Sequence, residues 1–408
     1  MSIKLQNLKE SNSFLNILYN NLNSAIFLID SNLNVLNVND SFKILFKKKE
    51  NIIGHLCGEV IGCGFITDEG KTCGSTTHCG LCEIRKSIKE TFTNRNGTEK
   101  NIVARKFYIG EEFFYKYFQI VTRHLYFDNK ALVMLIVDDI TENKKYKLEI
   151  KEKNKEITDS IRYARNIQLH TLPNDEDIRS GITDYFVLFK PKDIVSGDFY
   201  WNYNISSMKY FAVADCTGHG VPGAFLSMLG ISILNRIMEQ NKMPSPSEII
   251  DQLRNHIIEL LNHKDLEWEL HDGMDISLIA LDTKTKICQY AGANNSLIVT
   301  KNNSGIPTID EIKPDKMPVG SYHYQTPFTN HTFKLDHGDI IYLRTDGYED
   351  QFGESNNKKF MAKKLKELIL TICNESVSEQ KNILFDTFNE WKGTLEQLDD
   401  VTIIGLKM

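Results

Sequence analysis

The sequence predicts an α+β chain in which two globular domains are joined by a helix. Three observations carry this reading. Strand-like runs follow one another without helices between them in both halves of the chain, which favours antiparallel sheets over a doubly wound parallel sheet. The stretch from Thr141 to His170 contains neither Gly nor Pro and is rich in charged helix formers. In the C-terminal half or so of the chain, aspartates stand where apolar strands run out. The composition agrees: 408 residues, 41% hydrophobic and 25% charged, an ordinary globular make-up with room for two domains.

A net charge of -6 offers no basic footprint for nucleic acid. No apolar run approaches the roughly 18 residues that span a bilayer, and the opening MSIKLQNLKE lacks the apolar segment of a signal peptide. The sequence is therefore read as cytoplasmic, with no membrane span and no nucleic-acid partner.

The first region is expected over 11–140. SAIFLIDSNLNVLNVNDSF reads as two short strands around an Asp30-Ser31-Asn32 turn, followed by a helix start. KNIVARKFYIG, FFYKYFQIVTRHLYF and ALVMLIVDDI are aromatic and β-branched runs split by turns, and they read as three consecutive antiparallel strands. Between them lie five of the eight cysteines: Cys57, Cys63, Cys73, Cys79 and Cys82. A secreted disulfide framework would spread its pairs more evenly, so the cluster points to metal or redox chemistry. Cys79-x2-Cys82 can chelate one ion from a tight turn. Adding Cys63 and Cys73 completes a four-thiolate site suited to zinc or an iron–sulfur cluster. Cys57 is then spare or exchanges with Cys63, and His78 is an alternative ligand. A reversible thiol/disulfide switch and inert cysteines remain the other readings. Cys216, Cys288 and Cys373 are scattered and read as small inert residues.

The second region, 141–172, is expected to be a helical linker. Ile150, Ile157 and Ala164 recur every seven residues, with Ile161 added, a pattern that allows a helix to pair with its own copy. A solvated single helix is the plainer alternative. The third region, 173–408, alternates strands such as YFAVADC, DISLIALD, CQYAGANNSLIVT and DIIYLRTDG with helices such as AFLSMLGISILNRIMEQ and SEIIDQLRNHIIELLNH.

Within the third region Asp198, Asp215, Asp346, Asp399 and Asp400 stand at strand ends beside Gly197, Gly218, Gly220 and Gly347. Taken singly, each is as readily a turn or cap residue. Converging on one sheet edge, carboxylates repel one another unless a cation neutralises them. All-oxygen sites suit Mg²⁺ or Mn²⁺, and two such ions can hold a water and clamp a phosphoryl group. Asp272 and Asp275, in HDGMDISLIALD, read more simply as a turn entering a core strand, with a contribution to the metal edge as the lesser alternative.

The order SGDFYW, ADCTGHGVPGAFLSMLG, AGANNSLIV, LRTDGYEDQFG and DDVTII resembles the bacterial sporulation-stage-II-E / stress-regulator branch of the PP2C-like (PPM) metal-dependent phosphatases, over nearly all of 173–408. The resemblance implies an αββα sandwich carrying two Mn²⁺ or Mg²⁺ ions at one edge. It also implies dephosphorylation of phosphoserine or phosphothreonine on a regulatory protein, such as an anti-sigma-factor antagonist, by direct attack of a metal-bound hydroxide. By the same resemblance Asp215 bridges both ions. Asp198 holds one of them with the Cys216 backbone carbonyl, Asp346 and Asp399 hold the other, and Asp400 supports the site from behind. His219 is a candidate acid or a loop-fixing residue. Lys190 and Lys192 are surface or phosphate-attracting lysines, and Cys216 is not a nucleophile.

The first region resembles a PAS sensor domain in IFLIDSNLNVLNVNDSF, in its three late strands and in the exit VDDITENK. That resemblance implies control of the phosphatase through the helix, with RYARNIQLHTLP as the switch segment and a homodimer formed through the linker and sensor. The rival from another class is a catalytically silent module that binds a phosphoprotein. It would be marked by lost metal aspartates.

Overall fold

The computed structural model describes residues 12–48, 52–109, 111–127, 129–179, 182–261, 272–303, 306–355 and 357–408. The opening decapeptide and His271 of the HDG motif lie outside the described residues. The chain forms two compact units, 1–155 and 156–408.

The first unit is built on one five-stranded antiparallel sheet in the order β2-β1-β5-β4-β3. The strands are β1 (Ala25–Ile29), β2 (Val35–Val38), β3 (Asn101–Ile109), β4 (Glu112–Phe127) and β5 (Lys130–Asp139). Helix α1 (Asn12–Asn21) precedes them. Helix α2 (Asp40–Phe46) is capped by Asn39, whose side chain accepts from the Phe42 amide. Alternate residues of the strands face one apolar cluster, which includes Phe27, Phe42, Phe46, Phe107 and Phe118. Two expected features of this unit, the paired opening strands and the three late strands, thus share a single sheet. The cysteine stretch contains two short helices, α3 (Cys57–Val60) and α4 (Gly64–Glu69), and leads into α5 (Glu83–Asn94).

Helix α6 runs over Thr141–Thr171. Its start is fixed by the preceding strand. The Thr141 amide donates to Asp139 Oδ1 at 2.9 Å, and the Tyr117 amide donates to Thr141 Oγ1 at 3.0 Å. Ile150 and Ile157 are exposed on it, at 59% and 58%.

The second unit has four layers. One sheet is β14-β10-β9-β8-β7 with β13 added to β9, and the other is β12-β11-β15-β16-β6. The strands are β6 (Asp184–Lys190), β7 (Phe199–Ile205), β8 (Met208–Cys216), β9 (Gly273–Asp282), β10 (Ile287–Ala293), β11 (Leu297–Asn303), β12 (Ile306–Ile312), β13 (Val319–Gly320), β14 (His331–Lys334), β15 (Ile340–Arg344) and β16 (Val401–Lys407). Period-two alternation sorts the side chains. On β8, Phe211 and Val213 pack against Val299, Ile341 and Ile404 of the other sheet. Tyr210, Ala212 and Ala214 face α8 (Gly220–Gln240) and α9 (Pro246–Leu261), following the short α7 (Asp175–Arg179). After α10 (Gly347–Asp350), helices α11 (Ala362–Ile372) and α12 (Val377–Lys392) cover the second sheet through Leu365, Ile369, Leu384 and Phe388.

Two expectations need correction. CQYAGANNSLIVT is not one strand: Asn294 adopts φ 57° and the chain crosses from β10 in one sheet to β11 in the other. Helix α8 is long and apolar enough to cross a membrane by length and composition alone, although no run of that kind was expected. Its apolar residues serve the core, with Leu234 and Ile237 fully buried.

Candidate metal centre at the sheet edge

Asp198 sits just before β7 and is 1% exposed. Its Oδ2 accepts from Thr345 Oγ1 and Thr402 Oγ1, each at 2.7 Å. Its Oδ1 is buried without a partner. An orphaned carboxylate oxygen in the interior is costly unless something positive meets it. Burial, with Asp400 and Asp399 nearby, pushes this carboxyl well above its usual range.

Asp215 is the next-to-last residue of β8, where the antiparallel register places it directly opposite Asp275 of β9. Like charges so placed repel. Burial first, then Asp198, Asp346, Asp399 and Asp275, push Asp215 up to about 10. Asp275 is pushed up to about 6, mainly by burial, while a hydrogen bond from Asn294 Nδ2 at 2.8 Å pulls the other way. Asp346 leads into α10, makes no capping hydrogen bond there, and lies within hydrogen-bonding reach of Asp215. Asp399 shares a shallow cleft with Asp215, His219 and Asp275.

Asp400 is different. Its Oδ1 accepts from the Lys192 amide and its Oδ2 from the Gly197 amide, both at 2.7 Å. With both oxygens engaged, it ties the 192–198 loop to the start of β16. The loop is packed closely. A Cβ on Gly197 would lie 2.6 Å from the Gly218 carbonyl oxygen and 3.3 Å from that of Cys216. Only glycine allows this approach. Gly218 itself has φ +82°.

The donor set fits hard divalent cations: free carboxylate oxygens, a carbonyl-lined loop and one oxygen with no protein partner. Among the described residues no three His, Cys, Asp or Glu side chains close on one point. Mg²⁺-like ions, which keep several waters and take only one or two carboxylates, do not require such closure.

The sequence model of the family described as Stage II sporulation protein E (SpoIIE) matches residues 209–408. Residues 209–408 belong to the SpoIIE family. Among solved structures, the SiaA-PP2C domain of Pseudomonas aeruginosa is similar with a TM-score of 0.56 at 28% identity, over 63% of this chain and 98% of that one. The PP2C phosphatase domain of SpoIIE from Bacillus subtilis, solved with a fragment of its regulatory domain, gives 0.44 at 17% identity, over 55% and 62%. No curated protein sequence matches the chain. The SpoIIE domain is thus a PP2C-like domain of the protein serine/threonine phosphatases, on an αββα sandwich.

The structure brings Asp198, which lies just ahead of the SpoIIE match, to one edge with Asp215, Asp346, Asp399 and Asp400, and it adds Asp275, which had read more simply as a turn residue. His219 lies at the cleft, where its Nδ1 meets Asp193 Oδ2 at 2.7 Å. Lys190 is turned to Gln397 Oε1 at 2.6 Å. Cys216 is buried, and burial raises its thiol well above the usual range.

Sequence reasoning missed Thr345 and Thr402, which hold Asp198, and Gln168 of α6. Gln168 is 2% exposed. Its Nε2 donates to the Ser196 carbonyl at 2.6 Å and to Ser227 Oγ at 2.9 Å, and its Oε1 accepts from the Ser196 amide at 3.1 Å. Ser196 Oγ in turn accepts from the Asp198 amide at 3.1 Å. A signal for Gln168 was present: it falls one heptad after Ile161, a polar residue at a seam position.

Proposed function

We propose that the chain is a signal-regulated, divalent-metal-dependent phosphatase acting on phosphoserine or phosphothreonine of a regulatory protein, such as an anti-sigma-factor antagonist. The observation that carries this is the convergence of Asp198, with its unpartnered Oδ1, on Asp215, Asp346 and Asp399 at an open edge. In this reading Asp198, Asp215, Asp346, Asp399 and the Cys216 carbonyl would hold Mn²⁺ or Mg²⁺, with Asp215 placed centrally among them. The ions supply charge to clamp phosphoryl oxygens and lower the pKa of a water.

The chain's own residues do the positioning. Thr345 and Thr402 fix the rotamer of Asp198, leaving Oδ1 free. Asp400 holds the loop that carries it. Asp275 adds negative charge beside Asp215. His219, held by Asp193, orients the loop at the mouth of the cleft. Cys216 takes no part as a nucleophile, since a buried thiol with a raised pKa is not ionised near neutrality.

Sensor control belongs to the same proposal. The five-stranded antiparallel sheet and the Asp139–Thr141 junction support a PAS-like reading of the first unit. The exposed Ile150 and Ile157 support pairing of α6 with a second copy. Eight unpaired cysteines are in keeping with a reducing compartment such as the cytoplasm.

The test is phosphate release from a phosphoserine protein with added Mn²⁺, comparing the wild-type chain with Asp215→Asn. Activity that depends on the ion and disappears in the variant is the expected result. A wild-type chain silent with Mn²⁺ and with Mg²⁺, reduced and oxidised, would instead favour the phosphoprotein-binding module.

A further inference from the structure

The five cysteines of the first unit, spread over 26 positions of sequence (57–82), line a single cavity. Its walls are apolar, with Ile61, Ile66, Ile84 and Ile88, and two arginines complete it. The sulfurs are not equivalent. Cys79 Sγ receives the Gly74 amide at 3.2 Å and stands 2.9 Å from Thr76 Oγ1. Arg105 is 9% exposed and brings Nη1 to 3.6 Å from Cys82 Sγ. Arg85 brings Nη1 to 4.0 Å from Cys73 Sγ. Cys73 Sγ also lies so close to Gly58 that a Cβ there would stand 2.6 Å from it. Cys63 lies at the start of α4, on the same side as Arg105.

A guanidinium buried among neutral thiols and isoleucines is expensive. Glu83, at the rim, meets Arg105 from only one side. Anionic sulfur in the cavity would satisfy the remainder. Donors aimed at thiolate sulfurs, together with an apolar surround, are the features that tune iron–sulfur centres. Among the described residues no three cysteine side chains close on one point. A single zinc ion draws four thiolates to about 2.3 Å, whereas a cluster holds them further apart. His78 stacks on Phe65 at 3.9 Å, and its Nδ1 faces Thr77 Oγ1 at 3.0 Å. Cys57 is 4% exposed and belongs to the apolar core of the unit, with Cys82 packed against its edge.

We propose that this cavity holds an iron–sulfur cluster ligated by Cys63, Cys73, Cys79 and Cys82, with Arg85 and Arg105 balancing its negative charge and Cys57 forming part of the apolar floor. This site lies outside the SpoIIE domain and does not depend on the phosphatase reading.

The test uses the full chain, purified without oxygen and reconstituted with ferric iron, a thiol reductant and sulfide, so that the thiol reduces only part of the iron. Iron, acid-labile sulfide and zinc are measured alongside the visible absorption. The expected product is a coloured protein with iron and sulfide in equal amounts. Ser replacement of any of Cys63, Cys73, Cys79 or Cys82 should remove both, while Cys57→Ala keeps them. Far-UV circular dichroism and Mn²⁺-dependent phosphate release show whether each variant is folded. Stoichiometric zinc without sulfide, a chain that takes up neither metal, or a Cys79→Ser variant that retains the cluster would each overturn the proposal.

Discussion

Gln168→Met isolates what the end of α6 does for the metal edge. Methionine has nearly the volume and shape of glutamine, so packing is kept and only hydrogen bonds are lost. Ser227 Oγ retains its bond to the Ala224 carbonyl at 2.9 Å. Ser196 fares worse. It is fully buried, its amide loses its side-chain partner, and its carbonyl keeps only a weak 3.4 Å contact from Ser227. Each buried backbone group left unpaired costs about 1–3 kcal/mol. With the carbonyl partly compensated, a total of about 3 kcal/mol is expected, which for a domain of this size lowers Tm by roughly 6–12 °C. The loss falls on the loop that presents Asp198. Half-saturation by Mn²⁺ should therefore shift to higher concentration, and phosphate release should fall even at saturating ion. Thermal unfolding and Mn²⁺ titration of activity, on wild type and variant side by side, read both effects. If Tm stays within a degree or so of wild type and the Mn²⁺ midpoint does not move, the clamp has no energetic meaning and the reasoning fails.

Two further outcomes follow from the same edge. Gly197→Ala places a methyl 2.6 Å from a backbone oxygen that cannot yield cheaply. The loop must shift, and activity should drop by about a hundredfold; near-normal activity would show that the loop is not tightly packed. The second outcome concerns pH. Asp275 has a folded-state pKa raised from 3.8 to about 6. The folded state therefore binds its proton more tightly than the unfolded state, and this contribution to stability is lost as pH rises from about 4 through about 6. In chelator-treated protein, Asp275→Asn should gain stability over wild type progressively across that window, measured as the Tm difference. A difference independent of pH would contradict the shift.

Much of this protein was legible because its signals are local. Short apolar, strand-like runs marked β8, β9, β15 and β16, and the Gly- and Pro-free stretch marked α6. The aspartates were found because strand ends hold side chains rigidly and the motif order is distinctive. The cysteine block was visible as a cluster from spacing alone.

Other features depend on which residues meet across long separations, and no local pattern encodes that. Asp275 reads as a turn residue in sequence, and only the β8–β9 register puts it opposite Asp215. Asp399 and Asp400 are neighbours in sequence, yet one opens to the cleft and the other is spent on the amides of Lys192 and Gly197. The break at Asn294 sends one apparent strand into two sheets. Gln168 became a clamp only when α6 came to rest against Ser196 and Ser227. Sequence by itself determined the elements and the kinds of chemistry they carry, because propensity and periodicity act over a few residues. Tertiary structure decided which carboxylate oxygens stay free, because that depends on partners drawn from strands more than a hundred residues apart, such as Thr345 and Thr402 on Asp198.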